Sequence, residues 1–401
     1  MTRTAQDDPV ITGPTVLFMS LAAALGTATI YPLQPAIADI ARSLGSGPTP
    51  VGAALACGPI GYLLGLALLV PLVDRLSPRR VVASQFLALG GALTLTTVAD
   101  TVWLVGFGLL LTGACSSVGA GLSSIVGRLA PEHRRATILG IVTAGISAGI
   151  LAGRIAGGWL TDLIGWHAML LTVAAATVGV AGACLWFLPT TAGTIERNYF
   201  AELAAVPGLL LRCRVLRRGA LRGSLWFFAF CAVWSGIAVA LSQGPYFLSA
   251  KQIGLYALAG ITGIFATRVA GVYTDRLGFR PVILVGLAVA GAACPVLAFG
   301  LGSPWATMVA LAAFDAGLFA AQVANQTTIL AIDPSAPARF NSAYMVVYFV
   351  GGSLGTAFGA AAVASFGWPA TIGACGAALL VAGLLTGETA FLQRHSAIAD
   401  L

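Results

Sequence analysis

Asp315 and Arg154 are residues able to do chemistry in places where their neighbours are not. Asp315 stands in Ala310-Leu311-Ala312-Ala313-Phe314-Asp315-Ala316-Gly317, and Arg154 in Gly153-Arg154-Ile155-Ala156-Gly157, each inside a long apolar run. A carboxyl and a guanidinium brought together can form a fixed salt bridge. They can also handle protons, because removal from water favours the neutral acid while a nearby guanidinium favours the carboxylate. An acid held between those influences gains a proton in one setting and loses it in another. Both outcomes, a proton-coupling pair and a structural pair, stay open on the residues alone.

Other polar groups interrupt the same kind of run. Gln322, Asn325 and Gln326 follow Asp315, Tyr31 and Gln34 flank Pro32 near Pro35, and Gln243 ends a stretch holding Trp226, Phe227, Phe230 and Trp234. Tyr344, Met345 and Tyr348 form a further group. Buried amides need hydrogen-bond partners, so these face protein or a water-filled cavity. Aromatic walls with a few polar groups suit a large, partly apolar small molecule. Catalytic sets are missing from this inventory: His133, His167 and His395 show no ligand spacing, and the seven cysteines form no C-x-x-C pair. No metal, no cofactor, no ATP-binding motif and no enzyme activity are expected.

The elements that must hold these groups follow from composition. Hydrophobic residues make up 58% of 401 positions, Gly adds 50, and only 9% are charged. Mean hydropathy is +0.93. A water-facing surface needs about a quarter of residues charged, so most of this surface faces lipid. The chain reads as an all-α polytopic membrane protein. Twelve stretches reach the roughly 20 apolar residues of a membrane helix: 14–38, 51–73, 81–99, 102–129, 136–161, 166–188, 223–247, 253–274, 282–302, 304–332, 340–364 and 368–390. They are too long and too little alternating for barrel strands. The polar start through Gly13, with Asp7 and Asp8, leads into an apolar run too long for a signal core, so the first span is expected to be retained as a helix.

The basic segment 189–222 divides the chain into six-helix bundles at 1–188 and 223–401. Basic residues crowd one side of the spans, at Arg3, Arg75, Arg79, Arg80, Arg128, Arg134, Arg135, Arg197, Arg276, Arg280, Arg339, Arg394 and the arginines of 212–222. Against them stand Arg42 and Lys251. The positive-inside rule then puts both termini in the cytoplasm. It makes the arginines of 212–222 anchors to anionic lipid and excludes a nucleic-acid face. Trp226, near a span end, is expected at the membrane interface, and Trp234 in the cavity or core. By helix rise Asp315 lies ~16 Å and Arg154 ~13 Å from the outer face, close enough in depth to meet across the halves.

The halves repeat. Asp74-Arg75-Leu76-Ser77-Pro78-Arg79-Arg80 returns as Asp275-Arg276-Leu277-Gly278-Phe279-Arg280, and Gly165-Trp166 as Gly367-Trp368. Gly149, Gly153 and Gly157 return as Gly351, Gly355 and Gly359. Glycine at every fourth position makes a smooth helix face for close backbone approach, suited to static packing and to bundles that rock against each other. Two repeats joined by a basic loop are an architecture of transporters, with the substrate site near midplane between the repeats.

These motifs resemble the major facilitator superfamily, most nearly its twelve-helix drug:proton antiporter branch and the bacterial arabinose-efflux-like permeases. The resemblance rests on Gly271-x-x-x-Asp275-Arg276-x-Gly278-x-Arg280, on Pro131-Glu132-His133-Arg134-Arg135, and on Arg339-Phe340-Asn341-Ser342-Ala343-Tyr344-Met345 before Gly351-Gly352. It departs at Gly153-Arg154, where the branch usually has Gly-Pro, at Leu109, where an arginine is usual, and at Val70 and Ser77-Pro78 in the first loop signature. The resemblance implies a monomer in the bacterial plasma membrane that works by alternating access. The implied activity is export of small amphipathic or drug-like molecules in exchange for protons. Uptake with protons, export of one natural product and non-transporting sensing are the alternatives. It also implies that Asp74, Arg75, Arg79, Arg134, Asp275, Arg276 and Arg280 latch the cytoplasmic side, and that spans 1, 4, 7 and 10 line the cavity.

Overall fold

The computed structural model describes residues 11–190, 206–333 and 337–399, and among these every regular element is helical. Arg3, Asp7, Asp8 and Arg197 lie outside the described residues, as do the side chains of Asp74, Arg394 and His395. The first half holds α1 (Gly13–Ala28), α2 (Ile37–Ser43), α3 (Pro48–Leu55), α4 (Cys57–Leu68), α5 (Leu72–Arg75), α6 (Pro78–Thr97), α7 (Val102–Ser116), α8 (Val118–Leu129) and α9 (Glu132–Phe187). The second holds α10 (Val206–Arg212), α11 (Arg214–Ser242), α12 (Ala250–Leu255), a 3-10 turn (Tyr256–Gly260), α13 (Ile261–Leu277), α14 (Phe279–Phe299), α15 (Pro304–Leu330), α16 (Pro337–Phe366) and α17 (Trp368–Ala399).

Nine helical stretches among the described residues are long and apolar enough to cross a bilayer. One of them, His133–Phe187, contains two crossings, because Gly165 at φ 80° breaks the helix. With the shorter Gly13–Ala28 and the arginine-headed Pro78–Thr97, the arrangement is consistent with twelve crossings. Gly367, at φ 83°, makes the matching break between α16 and α17. Only glycine enters that backbone region without a Cβ penalty. The tryptophan after each glycine then pins the turn: Trp166 Nε1 donates to Ser43 Oγ at 3.0 Å and Trp368 Nε1 to the Leu297 carbonyl at 2.6 Å.

The first span is broken where its prolines require. Proline lacks an N–H and its ring clashes with the preceding turn, so α1 stops at Ala28 and helix resumes at Ile37. Tyr31 and Gln34 sit in the turn between. The seventh span differs from the expectation at both ends. α11 begins at Arg214, inside the segment expected as linker, because Leu216 and Ala220 set a buried apolar face between the arginines. It ends at Ser242, which leaves Gln243 exposed beyond the helix.

The glycine stripes seal helix pairs inside each half. Gly149, Gly153 and Gly157 lie against the backbone of Ala24, Ala28 and Pro32, and a Cβ at 153 would stand 2.5 Å from the Ala28 carbonyl oxygen. Gly351, Gly355 and Gly359 lie in the same way against Ser224, Phe228 and Ala232. The stripes therefore do not form the face on which the halves rock. That contact is made elsewhere, by two pairs related through the repeat: Gly52 meets Ala360, and Gly254 meets Gly158 and the Arg154 carbonyl. Each member lies 202 positions from its counterpart, Gly52 from Gly254 and Gly158 from Ala360.

These pairs draw α3 onto α16 and α12 onto α9 at the end that carries Arg42 and Lys251. At the arginine-rich end Arg134, Asp275 and Arg276 are exposed. Arg79 Nε donates to the Leu188 carbonyl at 2.9 Å and Arg280 lies over the Phe279 ring, each within its own half. Among the described residues the close backbone contacts between the halves thus gather at the end that carries Arg42 and Lys251.

Candidate functional site

Arg154 is carried on α9 three residues before the Gly157–Pro32 contact, so the close approach of α9 to the broken first span brings the guanidinium to Tyr31 and Gln34. Its Nε donates to Gln34 Oε1 at 2.8 Å. Its planar face is enclosed by three rings, with the guanidinium carbon 4.8 Å from the Tyr31 centroid, 4.3 Å from Trp234 and 5.7 Å from Phe230. Tyr31 and Gln34 belong to the first half, Trp234 and Phe230 to the second. Arg154 is 4% exposed.

Asp315, 1% exposed on α15, lies on the other side of Trp234. The indole N–H donates to Asp315 Oδ1 at 3.3 Å. The direct ion pair between Asp315 and Arg154 is not formed. A salt bridge is formed instead by Asp39 and Arg42, at the protein edge. The reason is steric: Trp234 projects from α11 between the two, presenting its face to the cation and its N–H edge to the acid. Each contact is favourable, since an indole face attracts a cation and its N–H is a donor only. The charges thus communicate through one aromatic ring.

A cavity opens beside Arg154, lined by Tyr31, Gln34, Tyr62, Arg154, Phe230, Cys231, Phe349 and Thr356 among others from both halves. Its free space is about 20 Å³, room for roughly one water. A second cleft, lined by Trp226, Phe227, Phe230, Gln322 and Tyr348, shares Phe227 and Phe230 with it and lies towards the arginine-rich end. Tyr348 stacks on Phe227 with centroids 4.0 Å apart. A larger space of about 430 Å³ lies away from these charges, an apolar groove on α13–α15 whose walls Val269, Tyr273, Leu277 and Val285 are exposed on the lipid side.

Several sequence expectations are corrected by this geometry. Gln243 is exposed beyond α11 and lines neither of the two clefts beside Arg154. Asn325 is wholly buried, accepting from Arg222 Nε at 2.6 Å and donating to the Gly219 carbonyl at 3.0 Å. Gln326 donates to Asn341 Oδ1 at 3.0 Å. These two amides tie α15 to α11 and α16 instead of facing the centre. Trp226 is buried, not interfacial, and donates to Gln322 Oε1 at 3.2 Å, which also accepts from the Tyr344 hydroxyl. Arg222 is 3% exposed beneath the Phe279 ring and is no lipid anchor. Sequence reasoning missed Tyr62, Phe349 and Thr356. The signals were present, as Tyr62 follows Gly61 and Phe349 precedes Gly351 on small-residue faces that must pack closely.

Comparison with known proteins decides the family. The Major Facilitator Superfamily model matches residues 16–266. The chain belongs to the Major Facilitator Superfamily. It is 30% identical over 383 residues to the transporter YgaY of Escherichia coli O157:H7, covering 95% of this chain and 97% of that one. It is 33% identical over 365 residues to a transporter of Streptomyces coelicolor, covering 90% and 84%. Among solved structures it resembles the nucleoside transporter NupG, with TM-score 0.77 at 14% identity over 93% of this chain and 99% of that one. It also resembles a bacterial homolog of the human lysosomal transporter Spinster in an inward-facing, occupied conformation, with TM-score 0.75 at 15% identity over 94% and 96%. Both likenesses are of fold. This superfamily member is a multi-pass membrane transporter of small molecules.

Proposed function

We propose that this transporter couples movement of a small amphipathic molecule to protons by alternating access, with Asp315 carrying the proton. The arginine-rich end and both termini lie in the cytoplasm of a bacterium on this reading, so the conformation described above is open inwards. The observation that carries the proposal is the bridge Arg154–Trp234–Asp315, in which a buried acid in one half senses a buried cation in the other. Parting the halves at the closed end separates Arg154 from Trp234 and changes the field at Asp315. That is the minimum a proton-driven cycle needs.

Two directions of coupling follow from opposite linkages. Export in exchange for protons, which the drug:proton antiporter resemblance implies, requires substrate and proton to exclude each other. Uptake with protons requires them to assist each other. The charge of the cavity favours the second, because its lining contains a cation and no carboxylate. The test uses proteoliposomes containing a pH dye, challenged with matched aromatic acids, amides and amines. Proton movement triggered by any member in wild type and abolished in Asp315→Asn supports the proposal. Movement unchanged by that substitution refutes it.

A further inference from the structure

Arg154 is a buried charge whose neighbours do not neutralise it. A guanidinium has five N–H donors, and the Nε bond to Gln34 uses one. Cation–π contacts with Tyr31, Trp234 and Phe230 offset part of the loss of hydration. They supply no negative charge. Burying a charge without a counter-charge costs several kcal/mol, and Asp315 is withheld from it by Trp234. The remaining wall of the cavity offers hydroxyls at Tyr31, Tyr62 and Thr356, apolar surface at Phe227, Phe230 and Phe349, and no Asp or Glu. A cationic guest would meet a fixed cation there and nothing to balance either.

We infer that the substrate carries an anionic group, a carboxylate on a planar, apolar body, which Arg154 takes between the Tyr31 and Trp234 rings. The carboxylate matches the fork of guanidinium donors, and the Tyr62 hydroxyl stands on the same cavity wall to donate to it, while Thr356 Oγ1 already donates to the Gly352 carbonyl at 2.9 Å. The apolar body lies along Phe227 and Phe230 towards the second cleft, which these two residues share with the first. The side chains would shift to admit it, since the present free space holds roughly a water molecule. Gln34, the present acceptor on Arg154, comes from the turn between α1 and α2, where bonds of the tighter three-residue kind, such as Gln34 N–H to the Tyr31 carbonyl at 3.2 Å, replace the α-helical ladder.

The sign of coupling follows. Arg154 is the charged group acting on Asp315, while Tyr31, Cys231 and Asp315 are the titratable groups acting on Arg154. A carboxylate bound to Arg154 screens its positive field from Asp315, so bound anion and bound proton reinforce each other, and reciprocally. The inference rests on the reading of this cleft as the transport site, and it selects uptake together with protons over exchange.

Binding of benzoate, benzamide and benzylamine to the purified full-length protein in nanodiscs, measured by calorimetry, tests it. These three share a body and differ in charge. Benzoate is expected to bind with at least about tenfold preference over both others, and Arg154→Gln to remove that preference, as loss of charge-assisted bonds predicts. Arg154→Lys keeps the charge and should retain part of it. Amide or amine binding as tightly as benzoate overturns the inference. So does benzoate preference that survives Arg154→Gln, or no benzoate binding up to about ten times a millimolar Kd. Should Arg154→Gln fail to fold, the comparison of the three probes on wild type still decides. Proton uptake on benzoate binding, absent in Asp315→Asn, tests the coupling separately. If benzoate binds through Arg154 with no proton uptake, anion recognition stands and the proton role of Asp315 falls.

Discussion

Gly254→Ala should shift the conformational equilibrium of this transporter without greatly harming its fold. The halves meet at their closed end through backbone contacts that leave no room for a side chain. A Cβ at 254 would stand 2.7 Å from the Arg154 carbonyl oxygen and 3.5 Å from Gly158 Cα. Non-bonded contacts settle near 3.5 Å, so the helices must part by more than about half an ångström. Overpacking of this kind costs about 1–3 kcal/mol. The cost falls only on the conformation closed at this end, because opening removes the contact. The population ratio should then move by about 5–150-fold towards the alternative conformation. Spin labels at Leu76→Cys and Leu277→Cys, both exposed at the arginine-rich end, report the change by double electron–electron resonance. A population at shorter distance should grow in Gly254→Ala and in Gly52→Ala. Gly153→Ala is the control, since its clash with Ala28 lies within one half and burdens every conformation alike. An unchanged distance distribution in Gly254→Ala, or an equal shift in Gly153→Ala, would refute the assignment of these contacts to the gate.

Trp234→Phe keeps a ring over Arg154 but removes the donor to Asp315; proteoliposome flux should retain substrate movement and lose about 1.5–3 kcal/mol of coupling to protons. Arg222→Ala leaves Asn325 Oδ1 buried without its donor, so thermal unfolding should show a loss of about 1–3 kcal/mol, with probe selectivity unchanged. Lys251→Cys should be labelled by an impermeant maleimide on intact cells and Arg276→Cys only after permeabilisation; the reverse pattern would invert the proposed orientation.

Much of the architecture was legible because the bilayer imposes it. Apolar length marked the crossings, Gly165-Trp166 and Gly367-Trp368 marked the repeat, and Pro32 and Pro35 marked the broken helix that delivers Gln34. Side-chain partners were less legible, for a definite reason. The expense of burying Asn325 or Gln326 says that each must find a partner, not whether that partner is a ligand or a neighbouring helix. Arg222 shows a second limit. It ends a basic run that reads as surface, yet Leu216 and Ala220 extend the apolar face past it and carry it inside. Depth alone suggested that Asp315 and Arg154 could meet, but could not show that Trp234, one helix away from each, would stand between them.

The gate is duplicated and the charge is not. Gly52 against Ala360 and Gly254 against Gly158 are equivalent under the repeat, so closure at that end is balanced between the halves. The same shift of 202 carries Arg154 onto Thr356, and both residues line the central cavity. A second arginine at that position would place two buried cations in one small space, a cost of several kcal/mol with no counter-charge to offset it. Symmetry therefore holds where the two halves must move alike and fails where a single charge has to be recognised. Thr356→Arg extends the reasoning to an experiment: adding the missing charge should tighten or double anion binding in any molecule that still folds, and a variant that folds well but binds benzoate no better would separate the cavity from anion recognition.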